Sequence, residues 1–371
     1  MNLSTTGNTS PSSALPAYGW DGSWESAFAP YAAEGLLPGR VLRVDRGQCD
    51  VVTADGTVVR ADTAFVTPHD PLRVICTGDW AVLEPVGGDP RYVRTYLPRR
   101  TAFVRSASSK RSEGQILAAN VDTAIIAVSL AGELDLGRVE RFLALAWESG
   151  AVPVVVLTKA DLVPDPTGLS YLVEDVAAVA PGAEVLSVSS HTGDGMDVLR
   201  AVVAGGTSVL LGVSGAGKST LANALAGADT MEVHAIRDVD GKGRHTTTTR
   251  NLLPLPGGGV LIDTPGLRGV GMWDATVGVN QVFAEIEELA ADCRFHDCAH
   301  GREPGCAVLA AVESGALPER RLESFRKLLR ENQRIVAKTD ARVRAELRRE
   351  YRVRGAIGKA AMEAKRGRQG R

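Results

Sequence analysis

The sequence predicts three successive architectures: a small closed β-barrel, an α/β domain on a parallel sheet, and an α-helical domain organised around cysteines and a histidine. Three observations carry this expectation. Short β-branched runs crowd together after Pro38, buried-type apolar runs then alternate with helical stretches as far as Trp273, and a Cys/His cluster follows between Cys293 and Cys306. The length of 371 residues suits two or three domains. A composition of 44% hydrophobic and 23% charged residues is that of an ordinary globular protein.

Residues 1–35 are rich in Ser, Thr, Gly, Pro and Ala, and are expected to form a disordered leader because they offer little apolar surface to offset ordering entropy. Residues 36–100 hold the strand-like runs Arg40–Val44, Cys49–Thr53, Thr57–Arg60, Trp80–Pro85 and Tyr92–Tyr96, with Asp55-Gly56 as a hairpin signal between two of them. Five short strands in so few residues point to a closed barrel of the OB or SH3-like kind, since closure removes exposed edges. Cys49 and Cys76 read as small core residues.

Residues 101–273 carry the apolar runs Thr123–Val128, Val152–Leu157, Glu184–Val188, Val209–Leu211 and Val260–Ile262. Continuous apolar strands separated by helices indicate a parallel sheet covered on both faces. Residues 274–350 are expected to be helical, with Leu322, Phe325, Leu328, Leu329, Ile335, Val336, Val343 and Leu347 forming one packing stripe. Residues 351–371 form a basic tail. Pro318–Arg371 holds 18 Lys/Arg against 7 Asp/Glu in a chain whose net charge is −2, which points to a polyanionic partner for that end. Met1–Trp20 lacks the basic start and apolar core of a signal peptide, no charge-free stretch is long and apolar enough to span a bilayer, and five cysteines do not resemble a secreted disulfide framework. The expectation is a cytoplasmic monomer without a membrane partner.

The sharpest motif is GVSGAGKST, comprising Gly212, Val213, Ser214, Gly215, Ala216, Gly217, Lys218, Ser219 and Thr220. It lies between a strand and a helix, the setting of a phosphate loop. Its glycines let backbone N–H groups curl around a phosphate, Lys218 reaches the β and γ phosphates, and the Ser219 hydroxyl suits Mg²⁺. VLIDTPG supplies Asp263 for Mg²⁺ through water and the Gly266 N–H for the γ-phosphate. Between these motifs, GRHTTTTR offers Thr246, Thr247 or Thr248 as the Mg²⁺ contact of a switch loop. TKAD (Thr158, Lys159, Ala160, Asp161) ends a strand, and the Asp161 carboxylate can accept two hydrogen bonds from guanine where adenine offers none. Thr158 stands where Asn is usual, which puts one supporting hydrogen bond in question. VSSHTGDG places Ser189 and Ser190 in a second base-contacting loop.

The order of the motifs is unusual. In Ras-like GTPases the phosphate loop comes first, whereas here the base motif at 158 and base loop at 189 precede it at 212. The same sheet results if the chain is cut between the third and fourth strands and the old termini are joined, a circular permutation. Downstream, Cys293, Cys298, His300 and Cys306 give C-x4-C-x-H-x5-C, suited to a closed structural zinc site, with His296 inside the loop as an alternative ligand.

The barrel, the permuted GTPase motifs and the C-x4-C-x-H-x5-C spacing together resemble the ribosome small-subunit-dependent GTPase family (RsgA/YjeQ) from about Pro38 to Leu347. The resemblance implies an OB-type barrel, a late assembly factor of the small ribosomal subunit that binds its rRNA, and GTP hydrolysis stimulated by that subunit. The expected cofactors are one structural zinc and Mg²⁺ with GTP. Leu267 replaces the Gln that many GTPases use to orient water, so His245 is the candidate catalytic residue. The competing reading is a nucleic-acid-binding protein whose P-loop binds nucleotide without hydrolysing it; intact Lys218, Ser219, Asp161 and Asp263 argue against it.

Overall fold

The computed structural model describes residues 13–66, 70, 72–85, 91–106, 114–227, 251–263 and 275–339. His245, Thr246, Thr247, Thr248, Gly266, Leu267 and the basic tail lie outside these described residues.

Five strands close the barrel: β1 (Leu37–Asp45), β2 (Gln48–Thr53), β3 (Val58–Asp62), β4 (Trp80–Leu83) and β5 (Arg91–Tyr96), ordered β1-β2-β3-β5-β4, with β4 returning to β1. The expected turn at Asp55-Gly56 joins β2 to β3, with Gly56 at φ 82° and the Asp55 carboxylate accepting from Thr57 N. Val41, Cys49, Val51, Ala61, Leu83 and Val93 fill the interior. This is the five-stranded OB arrangement.

The leader differs from expectation over its described part. Gly22–Ala33 forms a helix, α1, capped by the Asp21 carboxylate, which accepts from Ser23 N and Trp24 N. Leu15, Trp24 and Phe28 are buried against Trp80 and Leu97 of the barrel, and two 2.7 Å hydrogen bonds tie Arg100 to Asp21. A few aromatic side chains meeting a barrel wall offset the ordering entropy that composition alone left uncompensated.

The central sheet has the order β10-β9-β8-β11-β13-β12, using β8 (Thr123–Ser129), β9 (Val152–Thr158), β10 (Glu184–Val188), β11 (Thr207–Leu211), β12 (Asn251–Pro254) and β13 (Val260–Asp263). All pairings are parallel except edge strand β12 on β13. Strand β11, late in the chain, sits between β8 and β13, and every residue of it is buried. The hairpin of β6 (Ala102–Ser106) and β7 (Gly114–Ala119) joins barrel to sheet. Helices α2 (Leu136–Ser149), α3 (Pro166–Ala177), α4 (Met196–Val203) and α5 (Lys218–Ala226) cover the sheet.

The remaining helices are α6 (Thr276–Val282), α7 (Ala284–Ala290), α8 (Ala307–Glu313) and α9 (Glu319–Thr339). They share one core with the sheet: Phe283, Val308, Leu322, Phe325 and Leu328 belong to the same buried cluster as Phe142, Leu143 and Val155. At Gly278 a Cβ would lie 2.0 Å from Ala144 O, so glycine permits the close crossing of α6 on α2. The wholly buried Glu140 of α2 accepts from Arg320 at 2.9 Å, from Arg321 at 2.8 Å and from Ser324 Oγ, all on α9. Removing one partner of such a buried pair costs roughly 3–5 kcal/mol, so the contact holds α9 on α2 firmly. Among the described residues, no helix is long and apolar enough to cross a membrane.

Candidate functional site

Parallel strands deliver their C-terminal ends to one edge of the sheet, where α/β proteins bind ligands. The phosphate loop leaves β11 there, TKAD leaves β9, the second base loop leaves β10, and Asp263 ends β13. The permuted chain order therefore converges in space.

Each glycine of the phosphate loop has a steric reason. Gly212 has φ 140°, and a Cβ on it would lie 2.6 Å from Ala127 O of β8. Gly215 and Gly217 adopt left-handed φ of 81° and 82°. Helix α5 then starts at Lys218, so its free N–H groups and positive dipole end face the phosphate position. Lys218 Nζ donates to Gly212 O at 2.7 Å and Val213 O at 2.6 Å, which coils the side chain over the loop. Ser219 and Thr220 are exposed in the first helical turn, as is Ser214 in the loop.

The base motif clasps the phosphate loop. Thr158 is 3% exposed, and its Oγ1 lies 2.8 Å from Ala216 O. Threonine therefore supplies the supporting contact that the sequence put in question. Lys159, at φ 62°, donates from Nζ to Gly215 O at 3.1 Å. Asp161 accepts from the buried Ser189 Oγ at 2.6 Å through Oδ1 and is otherwise exposed. Ser189 Oγ in turn accepts from His191 N at 3.2 Å and Thr192 N at 3.1 Å, which fixes its position. Ser190 turns its hydroxyl toward Met196 Sδ at 4.0 Å, whereas Ser189 is the serine that hydrogen-bonds Asp161. The sequence reading missed the loop after β8: Ala131, Gly132, Glu133 and Asp135, with Arg138 and Phe142 of α2, line a cleft of about 320 Å³ against Val213–Ala216. Its position after a central strand was the available signal.

Thr158→Val removes the hydroxyl and leaves Ala216 O without its donor. The expected result is a roughly tenfold loss in affinity for GTP and GDP alike, from ~1–3 kcal/mol for an unsatisfied buried acceptor. Fluorescent-nucleotide titration checks this.

In the C-terminal domain, Cys293, Cys298, His300 and Cys306 bring one ligand atom each to within 4.8 Å of the others. Sγ of Cys293 and Cys306 are 3.8 Å apart, and His300 Nδ1 lies 3.6 Å and 3.4 Å from them. Tetrahedral zinc with bonds of ~2.3 Å to sulfur and ~2.05 Å to nitrogen gives edges of ~3.8 Å and ~3.5 Å, so the donor set fits that ion. His296 is not part of this cluster. His300 adopts a left-handed φ of 54°, and its carbonyl accepts from Arg326 of α9, which anchors the loop.

Fold and site together define a circularly permuted P-loop GTPase joined to an OB-type barrel and a helical domain that carries a Cys3His cluster. The RsgA GTPase family profile matches residues 96–273. The Small ribosomal subunit biogenesis GTPase RsgA of Streptomyces coelicolor is 79% identical over 98% of this chain and 99% of its own, and that of Streptomyces avermitilis is 77% identical over 100% of both. Among solved structures, YjeQ from Thermotoga maritima is similar at TM-score 0.57 and 26% identity, over 80% of this chain and 98% of that one. YloQ, described as a circularly permuted GTPase, shares the fold at TM-score 0.59 and 20% identity, over 80% and 95%. The chain belongs to the RsgA GTPase family.

Proposed function

We propose that this chain hydrolyses GTP in the late assembly of the small ribosomal subunit in the cytoplasm, with its nucleotide state controlling its hold on rRNA through the barrel and the C-terminal domain. Near-complete identity of length and 79% identity of sequence with a small ribosomal subunit biogenesis GTPase carry this reading. The clasp of Thr158 and Lys159 on the phosphate loop, with Asp161 held by Ser189 of the second base loop, supports it chemically. When GTP binds, Lys218 exchanges its two loop carbonyls for phosphate oxygens, and α5 and the loop present their N–H groups to the same charge. Ser219, Asp263 and one of Thr246–Thr248 are the residues that would hold Mg²⁺, which neutralises phosphate charge during transfer. Zinc is the metal assigned to the Cys3His cluster.

Hydrolysis is slow alone and fast on the subunit. Leu267 cannot hydrogen-bond a water, and His245 beside the threonines is the nearest imidazole in sequence. Completing a GTPase site in trans gains ~10³–10⁵-fold elsewhere. Single-turnover hydrolysis should therefore rise steeply with small subunits, and His245→Ala should lose that rise while still binding GTP and subunits. Equal stimulation of His245→Ala removes the histidine from catalysis; no stimulation of the unaltered protein overturns the ribosome-coupled reading.

Pro318–Arg371 adds cations to that hold. Because α9 is also part of the core, the informative truncation removes only residues 340–371. For every phosphate that the tail neutralises, the truncation should reduce the slope of log affinity against log salt by about 0.7–0.9. An unchanged slope assigns the tail to a role other than binding phosphate.

A further inference from the structure

Arg40 is a buried cation that the nucleotide site does not use. It lies on β1 at the seam between barrel and sheet and is 1% exposed. Among the described residues its side chain hydrogen-bonds only through Nη2, to Asn120 O at 3.2 Å and Thr207 Oγ1 at 3.0 Å; Nε is buried with no partner, and Cζ lies 4.5 Å from the centroid of the Trp80 ring. Among the described residues no carboxylate forms an ion pair with it: Asp79 pairs with Arg99 and Asp21 with Arg100. A buried guanidinium without a counter-charge in contact is expensive, and burial pulls Arg40 down to about 10, partly offset by the charge of Asp122.

Arg40 lines a polar cavity of about 220 Å³, whose walls also include Arg100, Asp21, Asn120, Asp122 and Gly206. Liquid water occupies ~30 Å³ per molecule, so the space suits a small ion and its residual hydration but not a nucleotide. Asp21 is neutralised by its two 2.7 Å bonds from Arg100. Asp122 accepts from Thr207 N at 2.7 Å through Oδ2, which leaves Oδ1 as an acceptor in the same walls. The cavity thus presents a cation with an unused Nη1 and an acceptor-only carboxylate.

We propose that this cavity binds a small protonated oxyanion, of which inorganic phosphate is the fitting member. One of its charged oxygens accepts from Arg40 Nη1, and its remaining P–OH donates to Asp122 Oδ1. Phosphate keeps at least one proton at neutral pH. Sulfate has the same shape and no proton, so it sets a bare oxygen against the Asp122 carboxylate.

The test is calorimetric titration of the full chain with inorganic phosphate or sulfate at fixed ionic strength, with Mg²⁺ and a non-hydrolysable GTP analogue saturating the phosphate loop. Tryptophan fluorescence, to which Trp20 and Trp24 of the cavity wall contribute, is followed in parallel. The expected result is one phosphate per chain, with sulfate weaker by about tenfold or more. Asp122→Asn keeps an acceptor for Thr207 N and gains a donor, so it should bring sulfate to within about twofold of phosphate. Arg40→Met should abolish binding of both; if that variant fails to fold, the anion selectivity of Asp122→Asn decides. Absence of saturable phosphate binding, or equal affinity for both anions in the unaltered protein, overturns the proposal.

Discussion

Stripping the metal from the C-terminal cluster, or replacing Cys298 by Ser, is expected to melt the segment from Ala291 to Cys306 and the start of α8. Zinc binding to small Cys/His modules is worth ~10–16 kcal/mol in apparent terms, and most of that free energy is folding free energy. Little else holds this loop. Its residues are largely exposed, its regular hydrogen bonds are few, and its anchors to the helical core are the Arg326 bond to the His300 carbonyl, the partly buried Cys293 and Cys298, and Cys306, whose Sγ caps α8 by accepting from Leu309 N. Metal analysis should find about one zinc per chain, and proteolysis of the stripped protein should cut first between Ala291 and Cys306. GTP binding should persist, because the residues proposed to contact the nucleotide follow β9, β10 and β11, outside this loop. Protein purified without chelator that contains no metal, yet resists proteolysis there, refutes the assignment.

Asp161→Asn is expected to lower GTP affinity by 10²–10⁴-fold, counting two charge-assisted hydrogen bonds at ~1.5–3 kcal/mol each. The geometry makes the substitution clean. Ser189 Oγ donates to Oδ1, and an asparagine carbonyl can take the same bond, so the side chain stays in place. The second oxygen becomes an NH₂ that meets the guanine donors head-on and suits the xanthine acceptor instead. Competition among GTP, ATP and XTP reads the switch directly. Unaltered protein that binds ATP as tightly as GTP sinks the role given to Asp161.

The phosphate loop and the base motif were legible because their chemistry is local: glycines at fixed spacing, one lysine, one carboxylate at a strand end. The Cys3His cluster was legible for the same reason, its four ligands falling within 14 residues. Thr158 was not, because its value depends on Ala216, 58 positions away, whose carbonyl it meets only after β9 and β11 enter one sheet. Ser189 and Ser190 could not be told apart for a similar reason: the turn that sends one hydroxyl to Asp161 and the other to Met196 is set by the contacts of β10 and α4. Helix α1 escaped the composition argument because the surface that repays its ordering, around Trp80, belongs to the barrel.

The succession of barrel, permuted GTPase and helices with a Cys/His cluster is written in the chain itself, since periodicity, turn residues and the spacing of Cys and His are properties of neighbours along it. How tightly these parts are joined is a matter of tertiary packing. The C-terminal helices share the core of the sheet, Glu140 gathers three side chains of α9, and Arg40 of the barrel reaches the strand that ends in the phosphate loop. Such hydrogen bonds link residues 167 to 184 positions apart. They depend on which faces meet once the strands have found their order, and no window of the sequence contains both partners.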